Sequence, residues 1–187
     1  MAESKWKEPP RHPISAHLPP YGKHAVEQFD ALYQTHVERV YRYAYSRIGD
    51  VQAAEDVTAQ TFLAALEGFD TLRAKNRFSS WLFGIARNKI MDHFRSLRRS
   101  VPLQEDAPSS EEEDPARLVT ESDQVRQLSD MLASLPEDER ELLRLRFLAQ
   151  LSFAEMAYLL GRNEDAVKKS VYRLLARLQS QVEGSHE

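Results

Sequence analysis

The sequence predicts an all-α fold made of two small helical domains joined by a flexible acidic linker. Apolar residues recur at helical spacing along most of the chain, and no segment alternates polar and apolar residues with a period of two. Residues 100–122 interrupt this pattern with three prolines and the run Ser-Ser-Glu-Glu-Glu-Asp, which is too acidic and too poor in apolar side chains to pack. We therefore expect one domain over residues 25–99 and a second over residues 123–182.

The composition excludes several protein classes. Hydrophobic residues make up 42% of the chain, with no run long enough to span a bilayer, and the N-terminus has no apolar signal-peptide core. The absence of cysteine excludes disulfides and thiolate metal sites and fits a cytoplasmic protein. Residues 1–24 form a proline-rich extension that is predicted to be disordered. Its three histidines are scattered and are more often plain polar residues than ligands, so we expect no metal and no cofactor.

Charge is divided unevenly along the chain, which has a net charge of −4. Residues 71–100 hold eight lysines and arginines against one aspartate, whereas residues 101–124 hold eight acidic residues against one arginine. Binding to phosphates depends on a local basic patch rather than on the total charge. A negative total is therefore compatible with nucleic-acid binding by the first domain.

Cap residues place the first two helices. A helical pattern over residues 25–48 stops at Gly49, which can act as a C-cap. Asp50 can then cap a second helix, which ends at Gly68. A charged loop over residues 69–77 follows.

A third, long helix is predicted from a cap at Ser79 or Ser80 to about Arg99. Its buried side is expected to hold Leu82, Ile85, Ala86, Ile90 and Leu97. Its other side carries polar residues at helical spacing, namely Asn88, Asp92, Arg95 and Arg99. Phe78 and Trp81 stand where this helix begins. Aromatic rings beside a cationic surface suit single-stranded nucleic acid, although both rings are more often core residues, and an arginine cluster is often a solvated face.

The second domain ends in a predicted helix-turn-helix. Helices are expected over residues 122–133 and roughly 137–148, with Pro136 at the first turn of the second. Ser152 and Glu155 have the spacing of a capping box for the next helix, whose apolar side holds Ala154, Met156, Ala157, Leu159 and Leu160.

Gly161 can close that helix and Asn163 can cap the last one. The apolar face of the last helix carries Val167, Val171, Leu174, Leu175 and Leu178. Its opposite face carries Lys168, Lys169, Tyr172 and Arg173. Such a motif presents a recognition helix to the major groove, whereas an ordinary helical hairpin would only have a solvated polar face.

Taken together, these two blocks resemble an extracytoplasmic-function (ECF) sigma factor of the sigma-70 family. The first domain resembles sigma region 2 through Ala-Glu-Asp-Val-Thr-Ala-Gln-Thr-Phe at 54–62, Phe-x-x-Trp-Leu-Phe-x-Ile-Ala-Arg-Asn at 78–88, and Asp92-x-x-Arg95. The second resembles region 4 through Leu-Pro at 135–136, Leu-Ser-Phe-x-Glu-Met-Ala at 151–157, and Val-Lys at 167–168. The likeness covers residues 26–180 with the linker in the family's position.

The resemblance implies a subunit that binds core RNA polymerase, recognises the −10 and −35 promoter elements and takes part in promoter melting. It implies that the polymerase β′ subunit is contacted by Glu55, Asp56, Gln60 and Phe62. It implies that the −10 element is bound by Arg73, Lys75, Asn76, Arg77, Phe78, Trp81, Asn88, Asp92 and Arg95, the first five of which belong to the family's specificity loop. It implies that the −35 element is bound by Lys168, Lys169, Tyr172 and Arg173. The expected partners are the β′ and β subunits of core polymerase, promoter DNA and an anti-sigma factor.

The chain departs from the family pattern in its recognition helix. Asp165-Ala166 stands where the family commonly has Gly-Thr, and Ser170 replaces a usual basic residue. The second change removes a phosphate contact. Because of the two changes, the −35 base sequence that this helix recognises cannot be predicted from the family pattern.

Two other classes of function would also use parts of this pattern. A stand-alone regulator would use the helix-turn-helix as a dimer on two half-sites, yet no dimerisation seam is evident and the first domain would have no task. A DNA-processing enzyme needs a carboxylate cluster for metal, or a nucleophile with a base. The acidic residues lie mainly in the linker, and the adjacent Glu55 and Asp56 point apart on a helix. We therefore expect no enzyme activity.

Overall fold

The structure is a computed structural model that describes residues 23–69, 72, 77–100 and 123–184. Within these ranges the chain forms seven α-helices, one π-helical turn and no strand, which confirms the all-α prediction. The elements are α1 (Lys23–Ile48), α2 (Val51–Gly68), α3 (Phe78–Ser100), α4 (Asp123–Ala133), α5 (Glu137–Leu143), the π-helical turn (Arg144–Leu148), α6 (Phe153–Leu160) and α7 (Glu164–Gly184). The predicted extension and linker lie almost wholly outside the described residues.

Helices α1, α2 and α3 pack as a bundle whose turns follow the predicted caps. Gly49 has a φ of 79°, the left-handed conformation that lets α1 end without a steric clash at Cβ. The Asp50 carboxylate accepts a 2.7 Å hydrogen bond from the amide of Ala53, which satisfies a free donor of the first turn of α2. These two local interactions reverse the chain and place α2 against α1.

The start and the end of α3 differ from the prediction. The helix begins at Phe78, so Ser79 and Ser80 lie in its first turn and neither is its cap. Leu97 is 48% exposed rather than buried, because the last turns of α3 project beyond the neighbouring helices. The other predicted core positions of α3 are buried or half-buried, which sets its polar face outward.

The helix-turn-helix forms as its caps predict. Ser152 accepts a 3.2 Å hydrogen bond from the amide of Glu155, and the Glu155 carboxylate accepts one of 2.8 Å from the amide of Ser152. Gly161 is left-handed with a φ of 62°, and the Asn163 side chain accepts from the amide of Asp165 at 2.9 Å. Met156 and Ala157 are buried as expected, whereas Ala154 is exposed. The predicted apolar face of α7 is buried or half-buried along its length.

The two helical domains pack directly against each other in the described part of the chain. Helix α3 contacts α6, and α1 contacts the π-helical turn. Buried side chains from both domains form one continuous hydrophobic core, which extends from Phe29 in α1 to Val171 in α7. The sequence predicted the two domains but not this contact between them.

Candidate nucleic-acid and polymerase interfaces

The outer face of α2 is polar and acidic. Glu55, Asp56 and Gln60 are all exposed, while Ala54, Val57 and Thr61 on the other side are buried. Phe62 differs from the other three predicted polymerase contacts because it is only 5% exposed. Its ring packs edge-on against Tyr33, with centroids 4.8 Å apart, so we assign Phe62 a packing role that fixes α2 on α1.

The start of α3 is closely packed. Phe78 is 3% exposed and makes edge-on contact with the ring of His36, 5.3 Å between centroids. A side chain so buried cannot stack on a base without unpacking, so we assign Phe78 to the core as well. Trp81 is half-buried with its ring 5.9 Å from that of Phe78, and Arg77 is exposed. The predicted −10 residues Arg73, Lys75 and Asn76 lie outside the described residues.

The outward face of α3 carries the remaining residues that were predicted to meet the −10 element. Asn88, Asp92 and Arg95 are exposed on successive turns. The Asp92 carboxylate accepts a 2.7 Å hydrogen bond from Arg95 Nη1. Exposed pairs of this kind add little to stability, but the carboxylate restricts the directions that the guanidinium can take. The amide of Asn88 is left with both a donor and an acceptor for a base edge.

The recognition face of α7 is open. Lys168, Lys169, Tyr172 and Arg173 are all exposed, as predicted, and they line the side of α7 away from its buried valines and leucines. Such a face combines phosphate contacts with groups that can reach base edges in the major groove. Its acidic first turn, Glu164 and Asp165, complements the helix dipole.

Two side chains to which the sequence assigned no role, Phe153 and Arg146, form a stack beside Tyr172. The ring of Phe153, at the start of α6, lies 5.8 Å from the ring of Tyr172. The guanidinium of Arg146 lies over the ring of Phe153, 4.8 Å from its centroid. Arg146 also donates a hydrogen bond to the carbonyl of Leu151. An aromatic residue directly after a predicted cap is a weak sequence signal, so only the fold reveals the stack.

A buried charge network joins α1 to α5 and was also missed. Tyr43, which is fully buried, donates a 2.7 Å hydrogen bond to Glu141, and Arg47 donates to the other carboxylate oxygen at 2.9 Å. Burial, and then the neighbouring Glu141, raise the pKa of Tyr43, so its hydroxyl stays protonated as a donor. Burial by itself would lower the pKa of Arg47, but the surrounding acidic groups raise it.

A second contact ties the helix-turn-helix to α3. The hydroxyl of Ser80, a residue only 2% exposed, donates to the backbone carbonyl of Glu155 at 3.2 Å. Partial burial opposes ionisation of the Glu155 carboxyl, yet hydrogen bonds from Ser152 and Ser79 outweigh it and lower the pKa. The residue that completes the capping box of α6 is therefore also bound to the first turn of α3.

Comparison with known proteins agrees with this architecture. A family model described as sigma-70 region 2 matches residues 32–100, and one described as sigma-70 region 4 matches residues 125–178. The ECF RNA polymerase sigma factor SigD of Mycobacterium tuberculosis is 32% identical over 152 residues, 76% of this chain and 71% of SigD. The chain belongs to the ECF RNA polymerase sigma factors. Its function is that of a promoter-recognising sigma factor, as the resemblance implied.

Two further relatives show the extent of the likeness. The sigma factor BldN of Streptomyces coelicolor is 40% identical over 157 residues, and the match spans 82% of this chain but 60% of BldN. SigM of Bacillus subtilis is 27% identical over 155 residues, which cover 81% of this chain and 93% of SigM. The family's members are transcription regulators rather than catalysts.

Among solved structures, a sigma factor RpoE from Bartonella quintana, in complex with the anti-sigma factor NepR, shares the fold of this sigma factor. Its TM-score is 0.59 at 22% identity, covering 84% of this chain and 98% of that chain. CnrH in complex with the cytosolic domain of CnrY has a TM-score of 0.57 at 22% identity, covering 85% and 90% of the two chains. In the part of the chain that the structure describes, no helix is long and apolar enough to cross a membrane.

Proposed function

We propose that this sigma factor binds core RNA polymerase through α2, reads the −10 element with α3 and reads the −35 element with α7. The observation that carries the proposal is the exposed basic face of α7 on a helix-turn-helix that is capped at each step. The exposed polar face of α3 supports the proposal, because promoter recognition at two elements requires a second surface on the same chain.

The exposed face of α2 suits a basic partner surface. Glu55 and Asp56 provide charge and Gln60 provides both a donor and an acceptor, and none of the three is needed for packing. Complementary charge steers the encounter and fixes register more than it adds affinity. We assign this face to the β′ subunit of the polymerase, with further contact to the β subunit.

Along α3, Asn88 would read a base of the unpaired non-template strand while Arg95, oriented by Asp92, would hold the backbone. Strand capture of this kind drives melting because bases bound after unpairing favour the open state. Unstacking costs a few kcal/mol per base, which stacking on Trp81 and a base-specific contact would offset. Arg73, Lys75, Asn76 and Arg77 complete this proposed surface.

At the −35 element, Lys168 and Arg173 would read guanine edges or hold phosphates, Lys169 would contact the backbone, and Tyr172 would pack on a thymine methyl group. The ring of Phe153, itself covered by Arg146, packs beside Tyr172 and would restrict the directions in which Tyr172 reaches the groove.

We further propose that the chain acts in the cytoplasm, has no catalytic activity of its own and uses no cofactor. The solved relatives described above include a sigma factor bound to an anti-sigma factor. We propose a partner of that class for this chain too.

The test is a pull-down of core RNA polymerase by the full chain, followed by transcription from a promoter library with the reconstituted complex. Promoter-selective initiation is the expected result, and it yields the −10 and −35 sequences. If the chain does not bind polymerase but binds duplex DNA tightly as a dimer, it is a stand-alone regulator and the proposal is wrong.

A further inference from the structure

His36 of α1 is a titratable side chain that lies in the interior, where it is only 5% exposed. Its ring packs edge-on against Phe78, the first residue of α3, with centroids 5.3 Å apart. Arg39, almost one turn further along α1, donates from Nε to the buried carbonyl of Ala149 at 2.8 Å. His36 therefore lies close to the place where α1, α3 and the second domain meet, and it has no part in the functions proposed above.

The hydrogen bonds of His36 determine which ring nitrogen carries a hydrogen. Nδ1 is 2.8 Å from the backbone carbonyl oxygen of Leu32, and because a carbonyl oxygen only accepts, Nδ1 must donate. A neutral imidazole has a single N–H, so its Nε2 is then an acceptor. Nε2 lies 3.2 Å from the hydroxyl oxygen of Ser79, which donates to it. Neutral His36 thus joins α1 to the first turn of α3 by accepting a hydrogen bond.

Ser79 lies between two acceptors. Its hydroxyl is also hydrogen-bonded to the carboxylate of Glu155 in α6. A hydroxyl has one hydrogen, so Ser79 can donate to neutral His36 or to Glu155, but not to both at once. When His36 takes up a proton, Nε2 becomes a donor to the Ser79 oxygen, and the hydroxyl hydrogen is free to bind Glu155. One proton therefore reverses the bond between His36 and Ser79 and completes the bond between Ser79 and Glu155.

The surroundings of His36 oppose this protonation. Burial lowers the pKa of the imidazole, the bond to Leu32 raises it, Arg39 on α1 lowers it and Glu155 on α6 raises it. The net result lies below the ordinary histidine pKa of about 6.5, so the cost of a buried charge beside Arg39 exceeds the gain from the completed bonds. This contribution to stability is therefore complete above about pH 6.5 and is lost as the pH falls below that value.

We propose that His36 is a proton switch at the junction of α1, α3 and α6. In the neutral state its Nε2 accepts from Ser79 and holds the first turn of α3 against α1. In the protonated state Nε2 donates to Ser79, the hydroxyl turns to Glu155, and the junction is less stable. Because α3 carries the proposed −10 surface and α6 belongs to the helix-turn-helix, mild acid acts where the two DNA-binding parts of the chain meet. The switch does not depend on which residues bind DNA or polymerase.

The hydrogen positions are tested by nitrogen NMR of the full chain, labelled at its histidine rings and backbone amides, with His36 assigned through the backbone. We expect the hydrogen on Nδ1 of His36 at pH 7.5 and a titration midpoint below about 6.5. The amide signals of Ser79 and Glu155 should shift with the same midpoint, because the hydroxyl turns as the proton binds. A hydrogen on Nε2 at pH 7.5 overturns the proposal, as do amide signals that do not follow the titration of His36.

Charge variants test whether the groups that face His36 set its proton affinity. Glu155→Gln removes the negative charge, so the pKa of His36 should fall further. Arg39→Gln removes the positive charge, so the pKa of His36 should rise, whereas Arg39→Lys keeps the charge and is the matched control. The same His36 pKa in the parent chain, in Glu155→Gln and in Arg39→Gln overturns the placement of His36 between these two charges.

The effect on stability is measured by urea denaturation at pH 7.5 and at pH 5.5. Between these values the parent chain should lose more of its free energy of unfolding than His36→Gln, whose side chain cannot take up the proton. All other titrating groups are common to the two chains, so the difference isolates His36. Equal losses overturn the switch. If His36→Gln does not fold, the joint titration of the His36 ring and the Ser79 and Glu155 amides in the parent chain decides for or against it.

Discussion

Tyr43 of α1 and Glu141 of α5 are 98 residues apart in sequence, yet a 2.7 Å hydrogen bond joins them in the interior. Both side chains are buried, and Arg47 holds the remaining carboxylate oxygen of Glu141. A buried carboxylate is tolerated only where it is paired and hydrogen-bonded, so these contacts are mutually dependent. They also make the stability of the second domain depend on the first.

Replacing Glu141 by Gln should destabilise the protein by about 2 kcal/mol, because the buried Arg47 loses its closer charged partner and keeps only the more distant, more exposed Glu137. Urea denaturation followed by circular dichroism measures the change. Glu38→Gln is the matched control, since Glu38 pairs with Arg42 on the exposed side of α1 and should cost well under 1 kcal/mol. Equal losses in the free energy of unfolding for the two substitutions would show that the buried network stabilises the protein no more than an exposed ion pair does.

If Lys168 or Arg173 reads a base, its substitution by Ala should weaken binding to a −35 duplex by about 1–3 kcal/mol. A residue that contacts only phosphate should instead lower affinity for all sequences alike and reduce the salt dependence. Titrations of the polymerase complex over several salt concentrations separate these cases. Arg42→Ala, an exposed arginine on the other domain, is the control and should leave −35 binding unchanged.

The stack behind Tyr172 should appear as coupling between two substitutions. If Phe153 positions the Tyr172 ring, then Phe153→Leu should weaken −35 binding in the parent but have little further effect in Tyr172→Ala. A coupling energy of about 0.5–1.5 kcal/mol in a double-mutant cycle is the expected value. Strict additivity of the two losses would remove the positioning role from Phe153.

The capping carboxylate should make stability depend on pH in the acid range. The hydrogen bonds from Ser152 and Ser79 lower the pKa of Glu155 in the folded state despite its partial burial. Its stabilising contribution is therefore complete above the ordinary glutamate pKa of about 4.3 and is lost as the pH falls through the lowered folded value.

Glu155→Gln keeps a side chain that can still form a capping box, so it isolates the charge. Urea midpoints of the parent and the variant should differ at pH 6 and converge as the pH falls below about 4. A difference that stays constant over this range would assign the effect to geometry rather than ionisation.

Sequence reasoning succeeded where the determinants are local. Asp50, Gly161 and the Ser152–Glu155 pair each act within one turn of helix, so spacing alone predicted their roles and the ends of α2 and α6. The polar and apolar faces of α7 likewise follow from a single helical period. The exposed positions predicted to bind the −35 element are arranged as expected for that reason.

The remaining features depend on contacts between distant segments. The sequence around Phe62 and Phe78 does not show that their rings pack against α1. The sequence around Leu97 does not show that the last turns of α3 extend beyond the other helices of the bundle. Cross-domain bonds such as that from Arg39 to Ala149 require both domains to be folded and docked. The residues assigned to polymerase and DNA remain predictions for this chain.

The most direct test of the sigma-factor function is promoter-selective transcription by core polymerase reconstituted with this chain or with its Asn88→Ala variant. We expect selective initiation with the parent, and a large loss of −10-dependent initiation for Asn88→Ala while the polymerase pull-down remains at the parental level. Equal loss of polymerase binding and initiation would contradict the assignment of Asn88 to the −10 strand. Absence of selective initiation with the parent chain itself would contradict the sigma-factor function.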